Sequence, residues 1–293
     1  MRSSRIGLVV VVLAMSLGVG AAGAAESKAQ RAAMNRFAAN NSLFVLYHEI
    51  GHMLVHQLNL PVLGREEDAA DNMATWTLLR QGTPKADQAL ADAAQGWLLS
   101  GIAYSSEIKD EDLYGNHSLD RQRAFQIVCL MVGSNDSAFR PIANQYAIDR
   151  DRQDTCSDDY FTLNRSLEGL LGARANKSGH GTKVSVTYHD AGGDLRKAAA
   201  AFRASGVFDQ VADEVRTHYS IATPLQFNAK RCGEANAFYE PETDEVIFCY
   251  ELMQDFIDLY STDKSGRLGG AAHLPGKSKS LPAPRVAEKN IDN

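Results

Sequence analysis

The run His48-Glu49-Ile50-Gly51-His52, set between Phe44-Val45-Leu46 and Met53-Leu54-Val55, constrains this chain more than any other segment. The apolar flanks read as one helix over residues 43–58, capped at Asn41-Ser42 and stopped by Pro61. On a helix, His48 and His52 stand on one face, about 6 Å apart along the axis. Residues 59–64 are long enough to reverse the chain, so a second helix over residues 65–79 is expected to return across the first. Its face Glu67, Ala70, Asp71, Ala74 and Leu78 follows helical spacing. Two carboxylates on an apolar face need a partner, because a buried charge is costly unless it is paired or metal-bound.

That spacing gives the chemistry. Histidines at i and i+4 can reach one tetrahedral zinc ion, and a glutamate after the first histidine is the His-Glu-x-x-His pattern of zinc peptidases. Glu49 lies beside the ion, where it can take a proton from an activated water and pass it to a leaving amine. Glu67 is the expected third ligand, and Asp71 the acceptor for a ligand histidine's N–H. The metal ligands expected are therefore His48, His52 and Glu67, with Zn2+ as cofactor and Glu49 catalytic. A bland reading of Glu67, an acid favoured by the helix dipole, stands beside this one.

His56 continues the spacing but lies about 12 Å along the axis from His48, too far to share an ion at a bond of about 2 Å. The extended metzincin pattern needs Gly at 55 and His at 58; this chain has Val55 and Leu58. Glu66 and Asp68 are expected to be solvated or paired with Arg65. Gly51 lets neighbouring backbone approach, while Tyr47 and Ile50 pack away from the metal. His117-Ser118-Leu119-Asp120-Arg121-Gln122-Arg123 puts a histidine just before another apolar helix. His117 is the second catalytic candidate: His117 or Arg123 could steady an oxyanion, or Asp120 could orient His117. A surface histidine at a helix start is the alternative, and Tyr104, Tyr114 and Tyr239 are further candidates.

Arg2 and Arg5, the apolar run over residues 6–19 and the small residues before Glu26 read as a signal peptide over residues 1–25, with cleavage near Ala22-Gly23-Ala24. The expectation is a secreted or periplasmic protein without a transmembrane anchor after cleavage. Four cysteines, Cys129, Cys156, Cys232 and Cys249, suit two disulfides in such a compartment. Clustering favours Cys129–Cys156 and Cys232–Cys249 among three possible connectivities. A net charge of −6 and no basic stripe argue against a nucleic-acid partner.

The fold class expected is α+β. Residues 26–175 form a mainly helical region holding the zinc site, including helices over residues 85–106 and 118–133. Residues 176–262 form an α+β region packed on the first. It has strands over 183–189 and 224–229, a helix over 195–219 broken near Ser205-Gly206, and a hairpin of 235–239 with 245–250. A closing helix over 252–260 follows, and residues 263–293 read as a disordered tail.

The Glu-x-x-x-Asp spacing of Glu67 and Asp71 resembles the third-ligand helix of gluzincin peptidases, thermolysin-like enzymes among them. In one gluzincin branch a histidine followed six residues on by arginine repeats the spacing of His117 and Arg123. Taken with the block Leu60-Pro61-Val62-Leu63-Gly64-Arg65-Glu66-Glu67-Asp68-Ala69-Ala70-Asp71 and the hairpin from Cys232 to Leu252, the chain resembles a mostly bacterial family classed as zinc metallopeptidases. The resemblance implies a zincin-like fold and a peptide or protein substrate. In that family the cysteine hairpin usually precedes the zinc helix; here it follows, which implies a permuted order. The hairpin would then lie near the zinc, where its edge strand could hold an extended peptide, or form a separate cystine-stapled module. Other readings are an exported zinc-binding structural or interaction protein without turnover, and a hydrolase of non-peptide amides in cell-wall material.

Overall fold

A computed structural model describes residues 27–104, 108–172 and 181–265. Its spine is a 31-residue helix, α1 (Lys28–Leu58), capped by Ser27, whose side chain accepts from the Gln30 N–H. The helix starts well before Asn41-Ser42, so the expected cap there is wrong. Both residues are interior and buried. Asn41 Nδ2 donates to the carbonyls of Phe37 and Asp92, and the Ser42 hydroxyl to that of Ala38. Side chains that favour caps are tolerated mid-helix when they bond back to the preceding turn. The helix ends where Asn59 turns left-handed (φ 47°), its N–H on the His56 carbonyl, with Leu60 N–H on that of Val55.

Two helices lie against this spine, α2 (Glu66–Gln81) and α3 (Pro84–Tyr104). A Cβ on Gly51 would meet the Cα of Ala70 at 2.9 Å, so glycine is what lets α1 and α2 approach so closely. Beyond them come α4 (Asp110–Tyr114), α5 (Asp120–Ser134), α6 (Asp136–Gln145) and α7 (Arg150–Gly172). The Cys129–Cys156 disulfide ties α5 to α7.

The second half builds a four-stranded sheet from β1 (Val184–Tyr188), β2 (Leu225–Lys230), β3 (Ala237–Glu240) and β4 (Glu245–Cys249). Helices α8 (Gly192–Ser205) and α9 (Val207–His218) connect β1 to β2 and break at Gly206, as the sequence suggested. The order is β1-β2-β4-β3, with β1, β2 and β4 parallel and β3 antiparallel at the edge. Phe202 stacks on Phe248 at 3.9 Å, and Phe208 meets Phe227. This apolar cluster is continuous with Leu43, Phe44 and Leu46 of α1, so the sheet packs onto the helical half through one core.

The last helix, α10 (Tyr250–Lys264), starts directly from β4, and Cys249 is bonded to Cys232. It runs past the point where the sequence read as tail. The rest of that tail and the expected signal peptide lie outside the described residues. Among the described residues, no helix is long and apolar enough to cross a membrane. The fold is mainly helical with a small C-terminal sheet and two disulfides, the α+β class the sequence indicated.

Candidate metal centre

The close crossing at Gly51 brings the first turn of α2 against the histidine face of α1. His48 Nε2 lies 3.1 Å from His52 Nε2 and 3.1 Å from Glu67 Oε2, and His52 Nε2 lies 3.3 Å from the same oxygen. The other ring nitrogens fix the tautomers. His48 Nδ1 meets Asp71 Oδ1 at 2.8 Å and His52 Nδ1 meets Glu66 Oε1 at 2.8 Å. A carboxylate accepts only, so each Nδ1 donates to its own carboxylate; when the rings are neutral each Nε2 then presents a lone pair, and without a metal a proton shared with Glu67 Oε2 takes that place.

Three acceptors therefore converge on one point. A tetrahedral ion with bonds of about 2.1 Å separates its ligand atoms by roughly 3.4 Å, close to the triangle seen here. His48, His52 and Glu67 are the one group of this kind among the described residues. The donor set fits a metal ion.

Glu66 is in part a correction to the sequence reading. It was expected to point away from the centre, solvated or paired with Arg65; it is exposed, yet it holds His52. As the first residue of α2, it reaches back across the entry turn, since helical Cα–Cβ bonds lean toward the N-terminus. Asp68 instead accepts from the Ser118 hydroxyl at 2.7 Å. Asp71 is buried and receives two bonds from Arg123, at 2.7 and 2.8 Å, besides its contact with His48. Arg123 in turn lies 3.4 Å over the Trp97 ring. It is thus committed to Asp71. Asp120 accepts from the Ser100 hydroxyl at 2.6 Å. His117 reaches the centre itself, its Nε2 2.8 Å from Glu67 Oε2.

The electrostatics follow. Burial opposes charge on His48, but bonds to Asp71 and Glu67 outweigh it and push the pKa up to about 9. His52 is raised in the same way, burial being outweighed by Glu67 and Glu66. Glu67 is held well below the usual carboxylate range, first by His117 and then by His48 and His52. For Asp71, burial pulls upward but the Arg123 guanidinium beside it wins, and the carboxyl stays low. Glu49 goes the other way. Its burial raises it against the pull of both histidines and the Tyr239 N–H.

That last contact comes from the sheet. Cys249 N–H donates to the Asn236 carbonyl, so alternate positions of β3 face β4, while Ala237 and Tyr239 direct their backbone groups outward. Tyr239 N–H donates to Glu49 Oε2 at 2.9 Å, and Ala237 N–H to Asn236 Oδ1 at 2.9 Å. What the edge offers a further strand is the two carbonyls. The hairpin thus lies at the centre, as one sequence reading anticipated.

Two cavities meet at the triad, and His48, Glu49 and His117 line both. One, of about 640 Å³, runs past His52, His56, Leu60 and Pro241. The other, of about 390 Å³, runs between Val45, Trp97, Leu252, Phe256 and Leu259. His56 is kept off the centre, its Nδ1 3.2 Å from the Tyr239 hydroxyl. That hydroxyl is shared with Gln57 and Asp244. Tyr104 donates to Asp255 at 2.8 Å, and Tyr114 is exposed. Sequence reasoning missed Glu66 and the backbone of Tyr239. Nothing in a residue's identity signals a main-chain donor, so the second was beyond its reach.

One family model, DUF4344, described as "Putative metallopeptidase", matches residues 9–171 and 188–271. Searches for similar curated proteins and similar solved structures return no match.

Proposed function

The chain belongs to that metallopeptidase family, and from this premise we propose that it is a zinc-dependent peptidase with His48, His52 and Glu67 as ligands and Glu49 as general base. The observation that carries the reading is the convergence of two imidazole lone pairs and a carboxylate oxygen, each histidine oriented from behind by a second carboxylate. A zinc ion held there would supply Lewis-acid activation of a water and polarisation of the scissile carbonyl.

Glu49 takes the proton from the attacking water and returns it to the leaving amine. Its raised proton affinity suits a base working near neutral pH, and the Tyr239 N–H fixes its carboxylate. His117 is the group we assign to the developing oxyanion: it lines both cavities at the centre and its partner is the Glu67 carboxylate, which a bound ion would take over, whereas Arg123 is spent on Asp71 and the Tyr104 and Tyr239 hydroxyls are engaged away from the centre. The β3 edge would hold an extended peptide through its two carbonyls. The hairpin's place after the zinc helix we read as a permuted order. Two disulfides fit an oxidising compartment, and we propose export through the signal peptide at residues 1–25.

The test is elemental analysis of the purified protein together with digestion of a peptide library. One zinc per chain is expected, lost in Glu67→Ala. Glu49→Gln should keep the metal and lose about 10³-fold in turnover. A wild type that binds no zinc, or a Gln variant that cleaves as fast, would sink the proposal. Zinc bound without any turnover would favour the structural protein. Turnover confined to non-peptide amides would favour the cell-wall hydrolase.

A further inference from the structure

We infer that the cavity between α1, α3 and α10 is a specificity pocket for a lysine or arginine side chain, with Asp255 as its counter-charge. The inference rests on the peptidase reading. The walls are apolar, from Val45 on α1, Trp97 on α3 and Leu252, Phe256 and Leu259 on α10. Asp255 shares that lining, half-buried, with its Oδ1 2.8 Å from the Tyr104 hydroxyl. The other charged groups there already have partners of opposite charge: Arg123 has Asp71, His117 has Glu67, and Glu49 has the His48 and His52 imidazoles besides the Tyr239 N–H.

No ion pair joins Asp255 to any lysine or arginine among the described residues. A neutral hydroxyl satisfies one oxygen but supplies no charge. Asp258, one turn further along α10, adds negative potential from outside. Burial and Asp258 together raise the Asp255 pKa, a cost that a cationic guest would reverse. A long basic side chain matches both features. Its methylene stem covers apolar wall while its head reaches the carboxylate.

The strand direction says which residue enters. The chain enters β3 from Ala235, which lines this cavity alone, and runs toward Tyr239 and Pro241, which line the other alone. An antiparallel peptide, the more stable pairing, runs the opposite way. Its C-terminal part then lies by Trp97, and the pocket receives the residue just after the cleaved bond.

The metal-loaded protein digesting a diverse peptide mixture, with cleavage sites read by mass spectrometry, tests this. Lys and Arg should be enriched directly after the cut. Asp255→Asn should lower kcat/KM for an arginine peptide about tenfold and leave its norleucine analogue within about twofold. Calorimetry on the Glu49→Gln protein gives a readout without turnover. The arginine peptide should bind about tenfold tighter than the norleucine one, and Asp255→Asn should erase the difference. Glu49-dependent cleavage that prefers large apolar residues and ignores Asp255 would overturn the pocket but not the peptidase. Absence of Glu49-dependent cleavage would overturn the peptidase reading, and equal binding of the two peptides would overturn the pocket by itself.

Discussion

Helix α1 carries a polar cluster on each of two sides, and adjacent residues head them. On one, the Tyr47 hydroxyl donates to Glu214 and accepts from Gln81 at 3.0 Å and Gln210 at 3.4 Å, while Gln81 also donates to Glu214. Each acceptor there faces a donor. On the other, once the rings are neutral, His48, His52 and Glu67 point three acceptors at one another, and only a bound proton or a cation relieves them. Both clusters are partly buried, so burial does not distinguish them. Donor–acceptor balance does. A closed network rigidifies a core; a set of converging lone pairs calls for a cation.

The contrast is sharpest when one partner is removed. Arg123→Ala should cost about 3–5 kcal/mol in denaturant unfolding, because it strands the buried Asp71 charge behind His48. A loss well under 1 kcal/mol would mean that Asp71 finds other partners. Asp71→Asn should lower zinc affinity by about 10–100-fold in competition with a chelator while the fold stays intact. Unchanged affinity would separate Asp71 from the metal site. Tyr47→Phe is the matched control. It should cost about 1 kcal/mol of stability and leave zinc content unaltered, since Gln81 still serves Glu214. Lost zinc in that variant would join the two clusters and dissolve the comparison.

The smallest effect is the pH dependence of the metal-free protein. The His48 pKa rises from an ordinary 6.5 to about 9 on folding. Its contribution is therefore complete below pH 6.5 and fades as pH rises through 9. Metal-free stability should decline across that window, while zinc-loaded protein should not share the decline, since the ion displaces the proton. The Tyr47 hydroxyl, pushed upward by burial and then by Glu214, adds nothing there. Parallel pH profiles for both forms would break the assignment.

Much of the centre was legible because helical periodicity ties sequence to direction. His48, His52, Glu67 and Asp71 follow from spacing on two helices. So do β1, from alternation, the β3–β4 hairpin, from the turn over residues 241–244, and the break at Gly206. What failed shares a cause. Asn41-Ser42 looked like a cap because its local chemistry suits one, but packing against α3 decided otherwise. A Cβ on Gly96 would lie 1.8 Å from Asn41 Oδ1, so the Asn41 side chain fills the space that Gly96 leaves open. Glu66 is exposed as read, but its bond to His52 depends on how the first turn of α2 meets α1, which the periodicity of one helix does not give. Arg123 was legible as a residue near the centre, but its commitment to Asp71 came from tertiary contact. Tertiary contacts override local preference where two elements meet.

The bond from Tyr239 to Glu49 spans 190 positions. A chain being synthesised from its N-terminus completes His48, His52 and Glu67 long before β3 exists. The glutamate that would do the chemistry acquires its fixed bearing only when the sheet arrives and docks. Sequence distance thus divides the centre: its donor triad is local to two consecutive helices, while the anchor of Glu49 comes from the far half of the chain.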